Sequence, residues 1–232
     1  MDPPDSAKVL ALDKRGAYYA HDRSKFLEWV GGRYERVLDL GCGSGANAPW
    51  YREHGATEVV GVEIDEESAV AAGRAFDRVI CAPIEDAVRQ LAGPFDLIVC
   101  ADVLEHLVDP WTVVRELTRL SHGVTVLAAS IPNIRFLPAV THIALGRGFK
   151  YTSEGIFDIT HLRFFTRPDI ASMLVHGGWT PTAWSAAVYG PLARARRTIG
   201  VMTRGRSDQW LAEQLFVRAG LTPRDGETPQ RA

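Results

Sequence analysis

Short, nearly continuous apolar runs alternate with stretches of helical apolar spacing along the first half of the chain. Such runs are typical of strands that are buried on both faces of a parallel sheet. Strand and helix in regular alternation predict a parallel sheet that is covered by helices on both sides. The predicted strands in this half are 36–40, 58–63, 78–81, 95–101 and 123–130, and the predicted helices are 24–30, 46–53, 66–75, 85–91 and 110–120.

The alternation stops after residue 130. Residues 131–165 mix apolar, aromatic and basic side chains without a clear period, and we interpret them as an insertion. Thr166 and Asp169 then match a capping box, which predicts another helix. The predicted sixth and seventh strands are 179–189 and 214–219. The expected fold is a Rossmann-like α/β domain, with a seven-stranded, mostly parallel sheet, helices on both faces and an insertion after strand five.

The domain organisation follows from the same pattern. We expect a single domain over residues 1–222 and a disordered tail over 223–232. The insertion, 131–165, leaves strand five at the carboxyl edge of the sheet, where parallel α/β sheets bind their ligands. We therefore expect it to form a lid on the acceptor side of the site. An arginine-rich segment before the last strand is interpreted as a solvated helix face.

Composition and charge narrow the functional classes. The 232 residues are 46% hydrophobic and 23% charged, as in soluble globular proteins with a buried core. The formal net charge of -2 disfavours a general attraction to nucleic acid or to an anionic membrane. No apolar stretch has the length of a membrane span, and the first residues lack the pattern of a secretory signal. With 3 scattered cysteines, we expect a cytoplasmic protein without a disulfide framework.

A glycine-rich turn between the first strand and the next helix is the strongest local motif. The sequence VLDLGCGSGAN places Gly41, Gly43 and Gly45 at this turn, where glycines let backbone N–H groups approach a ligand at a helix N-terminus. The second strand ends in Glu63, which can accept hydrogen bonds from both hydroxyls of a ribose. The spacing also satisfies a dinucleotide pattern, so these features predict an adenosine site without naming the nucleotide.

Further features favour a cationic cofactor. Asp39 lies inside the strand just before the glycines, where a carboxylate complements a cation better than a pyrophosphate. The third strand is followed by APIED (82–86) and the fourth by ADVLEHL (101–107). Together with the glycine turn, these motifs resemble the class I methyltransferases that use S-adenosylmethionine (SAM), over about residues 35–184.

The resemblance implies a set of cofactor contacts. The glycines approach the methionyl part of SAM, Glu63 holds the ribose and Ile64 packs on the adenine. Many relatives have an aspartate where Pro83 stands, so recognition of the adenine edge differs here. The cofactor-binding residues expected on this basis are Asp39, Gly41, Gly43, Gly45, Glu63, Ile64, Ile84, Glu85 and Asp102.

Polar residues after the fourth strand and within the insertion are the candidates for chemistry. Asp102, Glu105 and His106 are spaced to share one face of a helical turn, and His161 lies in the insertion. The acid-x-x-Glu-His element resembles ubiquinone-biosynthesis O-methyltransferases and small-RNA 2′-O-methyltransferases, in which it binds a divalent metal near the acceptor hydroxyl. The resemblance implies either a metal held by all four residues or metal-free catalysis by Glu105, His106 and His161. In both cases we expect the four side chains to converge.

The expected function is O-methylation of a small-molecule hydroxyl with SAM as the cofactor. The insertion resembles that of bacterial methyltransferases of surface-polysaccharide and secondary-metabolite pathways, which implies a sugar or polyketide-like acceptor. The alternatives that stay open are an N- or C-methyltransferase, an RNA 2′-O-methyltransferase, a nicotinamide-dependent oxidoreductase and a non-catalytic SAM-binding subunit. The net charge of -2 argues against RNA. The oligomeric state is not set by the sequence.

Overall fold

Each apolar run that was predicted as a strand forms one in the computed structural model, which describes residues 23–149, 151–187 and 208–223. The strands are β1 (Arg36–Leu40), β2 (Glu58–Glu63), β3 (Arg78–Cys81), β4 (Phe95–Ala101), β5 (Ser121–Pro132), β6 (Trp179–Ala187) and β7 (Gln214–Leu221). Their order in the sheet is β3-β2-β1-β4-β5-β7-β6. The first five are parallel, and β7 runs antiparallel between β5 and β6. The predicted seven-stranded, mostly parallel sheet is confirmed.

Helices cover both faces of this sheet, as predicted. They are α1 (Ser24–Val30), α2 (Ala48–Glu53), α3 (Glu66–Ala72), α4 (Ile84–Gln90), α5 (Pro110–Glu116), α6 (Leu137–His142), α7 (Arg167–His176) and α8 (Asp208–Leu211). Successive residues of a strand point to opposite faces. Accordingly, Leu38 and Leu40 of β1 join a hydrophobic cluster with α4, α5 and α7, whereas Val37 joins a second cluster with α1, α2 and α3.

Capping residues explain where two of these helices begin. The Asp109 carboxylate accepts a hydrogen bond from the backbone N–H of Thr112 at 3.0 Å, at the start of α5. The predicted capping box is present at α7, where the Thr166 N–H donates to Asp169 at 2.9 Å. The helix predicted over 110–120 is α-helical only as far as α5 extends, and its remainder is a 3₁₀ turn.

The predicted insertion starts later than expected, because β5 continues to Pro132 through its pairing with β7. The buried side chain of Asn133 donates hydrogen bonds to the carbonyl oxygens of Gln209 and Ala212, both at 2.9 Å. These bonds tie the start of the insertion to α8 and to the beginning of β7. The predicted tail beyond residue 223 and most of the arginine-rich segment lie outside the described residues. Within the described ranges, no helix combines the length and the apolar character needed to cross a membrane.

Candidate functional site

The predicted site residues gather at the carboxyl ends of the parallel strands. The strand order reverses between β1 and β4, since β2 and β3 lie on one side of this pair and β5 lies on the other. A reversal of this kind leaves a crevice beyond the strand ends, and α/β sheets bind their ligands there. The glycine turn follows β1, Glu63 ends β2 and Asp102 follows β4, so all three lie along this edge.

The glycine turn has a backbone that only glycine accommodates without strain. Gly41 has a φ of 72°, and a Cβ atom at this position would lie 2.8 Å from Cγ2 of Val103. Gly45 has a φ of 85°, and a Cβ atom there would lie 3.0 Å from the Cα of Ala72. A side chain at either position would displace the turn from the loop after β4 or from α3.

The buried carboxylate of Glu63 holds this turn in place. Its Oε2 accepts a hydrogen bond from the N–H of Gly43 at 2.8 Å. Its Oε1 accepts from the N–H groups of Ile64 and Asp65 at 2.8 and 2.9 Å. Glu63 therefore connects the end of β2 to the glycine turn, a role that the sequence analysis did not include beside ribose recognition.

The residues predicted beside the adenine differ in exposure. Ile64 is 67% exposed at the end of β2 and offers an apolar surface to a planar ring. Ile84 is only 8% exposed, because its side chain points from the start of α4 into the core. Glu85 accepts a hydrogen bond from the N–H of Val108 at 3.3 Å, which links α4 to the loop after β4.

Asp39 is a fully buried acid within β1. Its Oδ2 accepts hydrogen bonds from the Tyr51 hydroxyl at 2.8 Å and from the Asn47 amide at 3.2 Å. Its Oδ1 accepts none from the residues that the structure describes. Burial raises the pKa of Asp39, although the positive charge of Arg23 opposes this. A buried charged acceptor without a partner is destabilising, which is the physical reason why burial favours the protonated form of Asp39.

Arg23, directly before α1, is a site residue that the sequence analysis missed. Its guanidinium donates a hydrogen bond to the carbonyl oxygen of Gly41 at 3.3 Å, and its Nε lies 3.7 Å from Oδ2 of Asp102. The side chain is 18% exposed and lines a cavity of about 260 Å³. No motif surrounds this arginine in the sequence, so only the fold reveals its position.

Glu105, His106 and His161 form a cluster at this cavity. Their potential ligand atoms all lie within 4.8 Å of one another, and Nε2 of His161 is 4.0 Å from Oε1 of Glu105. Backbone contacts bring the insertion to this position, since the N–H groups of Leu162 and Arg163 donate to the Glu105 carbonyl oxygen at 2.8 and 2.9 Å. The structure thus brings together three of the four side chains that were predicted to converge.

Asp102 lies outside this three-residue cluster. Its Oδ1 accepts hydrogen bonds from the Ser130 hydroxyl at 2.5 Å and from the Gln214 amide, while Arg23 pairs with Oδ2. Asp102 also has a φ of 56°, a left-handed conformation that is strained for a residue other than glycine. The predicted four-residue convergence is therefore corrected to three, because partners from β5, β7 and the start of α1 hold the Asp102 carboxylate.

Burial dominates the electrostatics of the cluster. Both carboxyl oxygens of Glu105 are buried and accept no hydrogen bond from the described part of the chain. Burial raises the pKa of Glu105 well above its usual value, and the nearby carboxylates of Asp102 and Asp158 raise it further. Burial also lowers the pKa of His106 to about 4, and the neighbouring His161 contributes to this shift. At neutral pH the His106 ring is therefore uncharged.

The two imidazole rings have defined tautomers. Nδ1 of His106 lies 3.1 Å from the Thr160 carbonyl oxygen, and Nδ1 of His161 lies 3.1 Å from that of Ile156. A carbonyl oxygen only accepts, so in each neutral ring Nδ1 carries the proton and Nε2 carries the lone pair. Histidines that bind a metal or accept a proton are commonly oriented in this way.

The insertion forms part of the cavity wall on the side of Glu105. The insertion contributes Gly155, at its tip, and the buried acid Asp158 to this wall. The cavity is lined by Arg23, Lys25, Phe26, Asp102, Glu105, Ser130, Pro132, Gly155, Ile156, Asp158, His161, Glu213, Gln214 and Phe216. Residues of the insertion therefore line the cavity together with Glu105, and an acceptor-side lid over 131–165 stays a prediction.

Comparisons with known proteins agree on one family. The family model described as a methyltransferase domain matches residues 12–183. Over 169 residues, 69% of this chain and 71% of the relative, the sequence is 28% identical to a ubiquinone biosynthesis O-methyltransferase from Chromobacterium violaceum. A SAM-dependent methyltransferase structure from Mesorhizobium loti shares the fold with a TM-score of 0.58 and 18% identity, over 87% of this chain and 98% of that chain. The 1,6-didemethyltoxoflavin-N1-methyltransferase of Burkholderia thailandensis, solved with its acceptor and S-adenosylhomocysteine (SAH), has a TM-score of 0.58 and 17% identity, over 96% and 92% of the two chains.

Proposed function

Because this chain belongs to the methyltransferase-domain family and is a SAM-dependent methyltransferase, we propose that it methylates a hydroxyl oxygen of a small molecule. The observation that carries the proposal is the cluster of Glu105, His106 and His161, of which Glu105 and His161 line the cavity. A hydroxyl becomes strongly nucleophilic only as it loses its proton, whereas a neutral amine is already a good nucleophile through its lone pair. A group of proton acceptors at this position therefore favours oxygen over nitrogen. Because the chain belongs to this family, the oxidoreductase alternative is excluded. Because the chain is an enzyme, the alternative of a non-catalytic SAM-binding subunit is excluded as well.

On the cofactor side, we propose that the glycine turn and Glu63 hold SAM with its methionyl part towards Arg23 and Asp102. The guanidinium and the carboxylate of this pair suit the carboxylate and the ammonium of an amino acid, respectively. Nε of Arg23 and Oδ2 of Asp102 are 3.7 Å apart, which is longer than a hydrogen-bonded ion pair. Ile64 would then cover the adenine at the other end of the site.

We expect Arg23→Ala to weaken the binding of SAH about tenfold, because it removes a charge-assisted hydrogen bond to the methionyl carboxylate. Calorimetric titration of the purified protein measures the effect. Adenosine provides an internal control, since it lacks the amino-acid part and its affinity should not change. An equal loss for both ligands would show that Arg23 supports the fold of the site and makes no contact with the carboxylate.

On the acceptor side, we propose that His161 is the general base. Its Nε2 lone pair accepts the hydroxyl proton as the oxygen attacks the methyl carbon, the carbon–sulfur bond breaks and SAH leaves. The resulting imidazolium lies beside Oε1 of Glu105, at the distance of 4.0 Å seen in the cluster. The positive ring lowers the pKa of the adjacent Glu105 carboxyl, so formation of the imidazolium favours the carboxylate that stabilises it.

A divalent metal is the second candidate for the same position, and one observation favours it. Glu105 has two buried oxygens without hydrogen-bond partners among the described residues. A carbonyl oxygen lies beside Nδ1 of each histidine, so Nε2 is the ring nitrogen that would coordinate an ion. Glu105, His106 and His161 would hold the ion, and this mixed oxygen and nitrogen set suits Mn, Fe or Zn better than Mg. A bound ion would lower the pKa of the acceptor hydroxyl and keep Glu105 ionised.

The proposed function is tested by incubating the protein with methyl-labelled SAM and a panel of sugars, phenols and primary amines. We expect release of SAH to accompany the formation of a methyl ether, which mass spectrometry and NMR identify. A panel in which only amines react, at nitrogen, would contradict the proposal. A methylated RNA ribose as the sole product would do so as well.

A further inference from the structure

A second carboxylate faces the cavity at the start of β7. Glu213 lines the cavity and is half-buried. Its backbone is fixed on both sides, since its N–H donates to the Ala187 carbonyl oxygen at 3.2 Å and its own carbonyl accepts from the Asn133 N–H at 2.9 Å. The backbone of Glu213, directly before β7, is thus held by hydrogen bonds to the end of β6 and to the residue after β5.

The tip of the insertion lies opposite this carboxylate. Gly155 has a φ of 79°, and a Cβ atom built there would lie 4.0 Å from Oε1 of Glu213 and would contact nothing else that closely. Burial raises the pKa of Glu213. A carboxylate that is removed from water in this way is stabilised by a donor or a cation supplied from elsewhere.

With one exception, the other acidic side chains of the cavity wall have hydrogen-bond partners or ion-pair partners. The Asp102 carboxylate is held by its three partners, and Asp158 accepts hydrogen bonds from the N–H and the hydroxyl of Thr160 at 2.8 and 2.7 Å. Glu105 is the exception, because its side chain is 2% exposed and both of its oxygens lack hydrogen-bond partners in the described part of the chain. The cavity therefore presents two carboxyl groups, Glu105 and Glu213, to whatever molecule enters it.

We propose that Glu213 selects the acceptor by binding a second group of it, an amine, while the reacting hydroxyl faces Glu105 and His161. This inference rests on the proposed O-methylation and names its substrate class, an aminated polyhydroxyl ring of the amino-sugar type. The carboxylate of Glu213 accepts hydrogen bonds from the ammonium and neutralises its charge. The same carboxylate repels a carboxylate or phosphate at that position of the ring, so it provides discrimination as well as affinity.

The size of the cavity is consistent with one such ring. About 260 Å³ lies just below the range of roughly 300–1,000 Å³ that is usual for drug-sized ligands. In the proposed arrangement, the methionyl part of SAM would take up the end at Arg23. The remaining space suits a single ring, with any larger attached group outside. The wall also has an apolar component, to which Pro132, Ile156 and Phe216 contribute.

The test measures binding and not turnover. Glucose, glucosamine and glucuronate share one ring and differ in a single substituent, and each is titrated into the protein saturated with SAH. We expect glucosamine to bind most tightly and glucuronate most weakly. In Glu213→Gln the preference for glucosamine over glucose should fall about tenfold, since the amide keeps an acceptor but removes the charge. In Glu213→Lys the preference between glucosamine and glucuronate should reverse.

Glu154→Gln is the matched control, because it removes an equal charge next to Gly155 from an exposed side chain that does not line the cavity. It should leave the order of the three sugars unchanged. The proposal is overturned if none of the sugars binds, if all three bind alike, or if Glu213→Gln and Glu154→Gln have the same effect. Failure of the proposed function has a different signature: the expected order of binding, but no methyl ether on any of the sugars when SAM replaces SAH.

Discussion

Glu63→Ala is expected to weaken the binding of both SAM and SAH by about 100-fold. The carboxylate is the proposed acceptor for the ribose hydroxyls, and it also accepts hydrogen bonds from the N–H groups of Gly43, Ile64 and Asp65. Each ribose hydroxyl that loses its buried partner on binding costs about 1–3 kcal/mol. A combined loss of about 3 kcal/mol in binding free energy corresponds to about 100-fold in Kd. Calorimetric titration of SAH measures the change.

Two further variants show which role of Glu63 produces the effect. Glu63→Gln keeps one carbonyl acceptor and should have an intermediate affinity. Glu58→Ala, at the other end of β2, removes an acid that pairs with Arg36 at 2.6 Å far from the crevice, and should bind SAH like the wild type. If Glu63→Ala keeps its full affinity for SAH, neither the ribose contact nor the support of the glycine turn operates as proposed. Tight binding of NAD by the wild-type protein would contradict the choice of cofactor.

The fold was predictable from the sequence because its determinants are local. Each buried strand is a short apolar run in the sequence. The strands beside the crevice either end in an acid or are followed directly by glycines or an acid. Gly41 and Gly45 were found for the same reason, since the left-handed backbone that each adopts restricts the position to glycine. The family resemblance rests on such local motifs, and the comparison with the methyltransferase-domain model confirms it.

The features that were missed depend on contacts between distant parts of the chain. Arg23 reaches the site because α1 begins beside the glycine turn, and Glu213 reaches it because β7 inserts between β5 and β6. Asp102 was assigned to the metal set from its spacing, but Ser130 and Gln214, which are 28 and 112 residues away in sequence, hold its carboxylate. Spacing along a loop gives the order of the side chains, whereas strand pairing decides which of them meet.

His161→Ala is expected to lower kcat by about 10²–10⁴, the usual contribution of a general base. Affinity for SAH should not change, because the imidazole lies on the acceptor side of the cavity and contributes no contact to the cofactor in the proposed arrangement. Steady-state kinetics with an acceptor from the panel and calorimetry with SAH separate the two quantities. His176→Ala is the matched control, since this exposed histidine at the end of α7 bonds only within its own helix. A kcat in His161→Ala equal to that of the control would remove the cluster from the mechanism.

Glu105→Gln and a chelator then decide whether His161 acts as a base or as a metal ligand. In the base version, wild-type turnover survives chelation and Glu105→Gln retains part of its activity, because the amide preserves the packing but no longer stabilises the imidazolium. In the metal version, chelation abolishes turnover, Mn or Zn restores it, and elemental analysis finds the ion in the wild type but not in Glu105→Gln or His161→Ala. We expect the base version, because His161 lines the cavity whereas His106, the third residue of the metal set, is not among the lining residues. Stoichiometric metal in the purified wild type, lost together with activity, would reverse this assignment and make Glu105, His106 and His161 a metal centre.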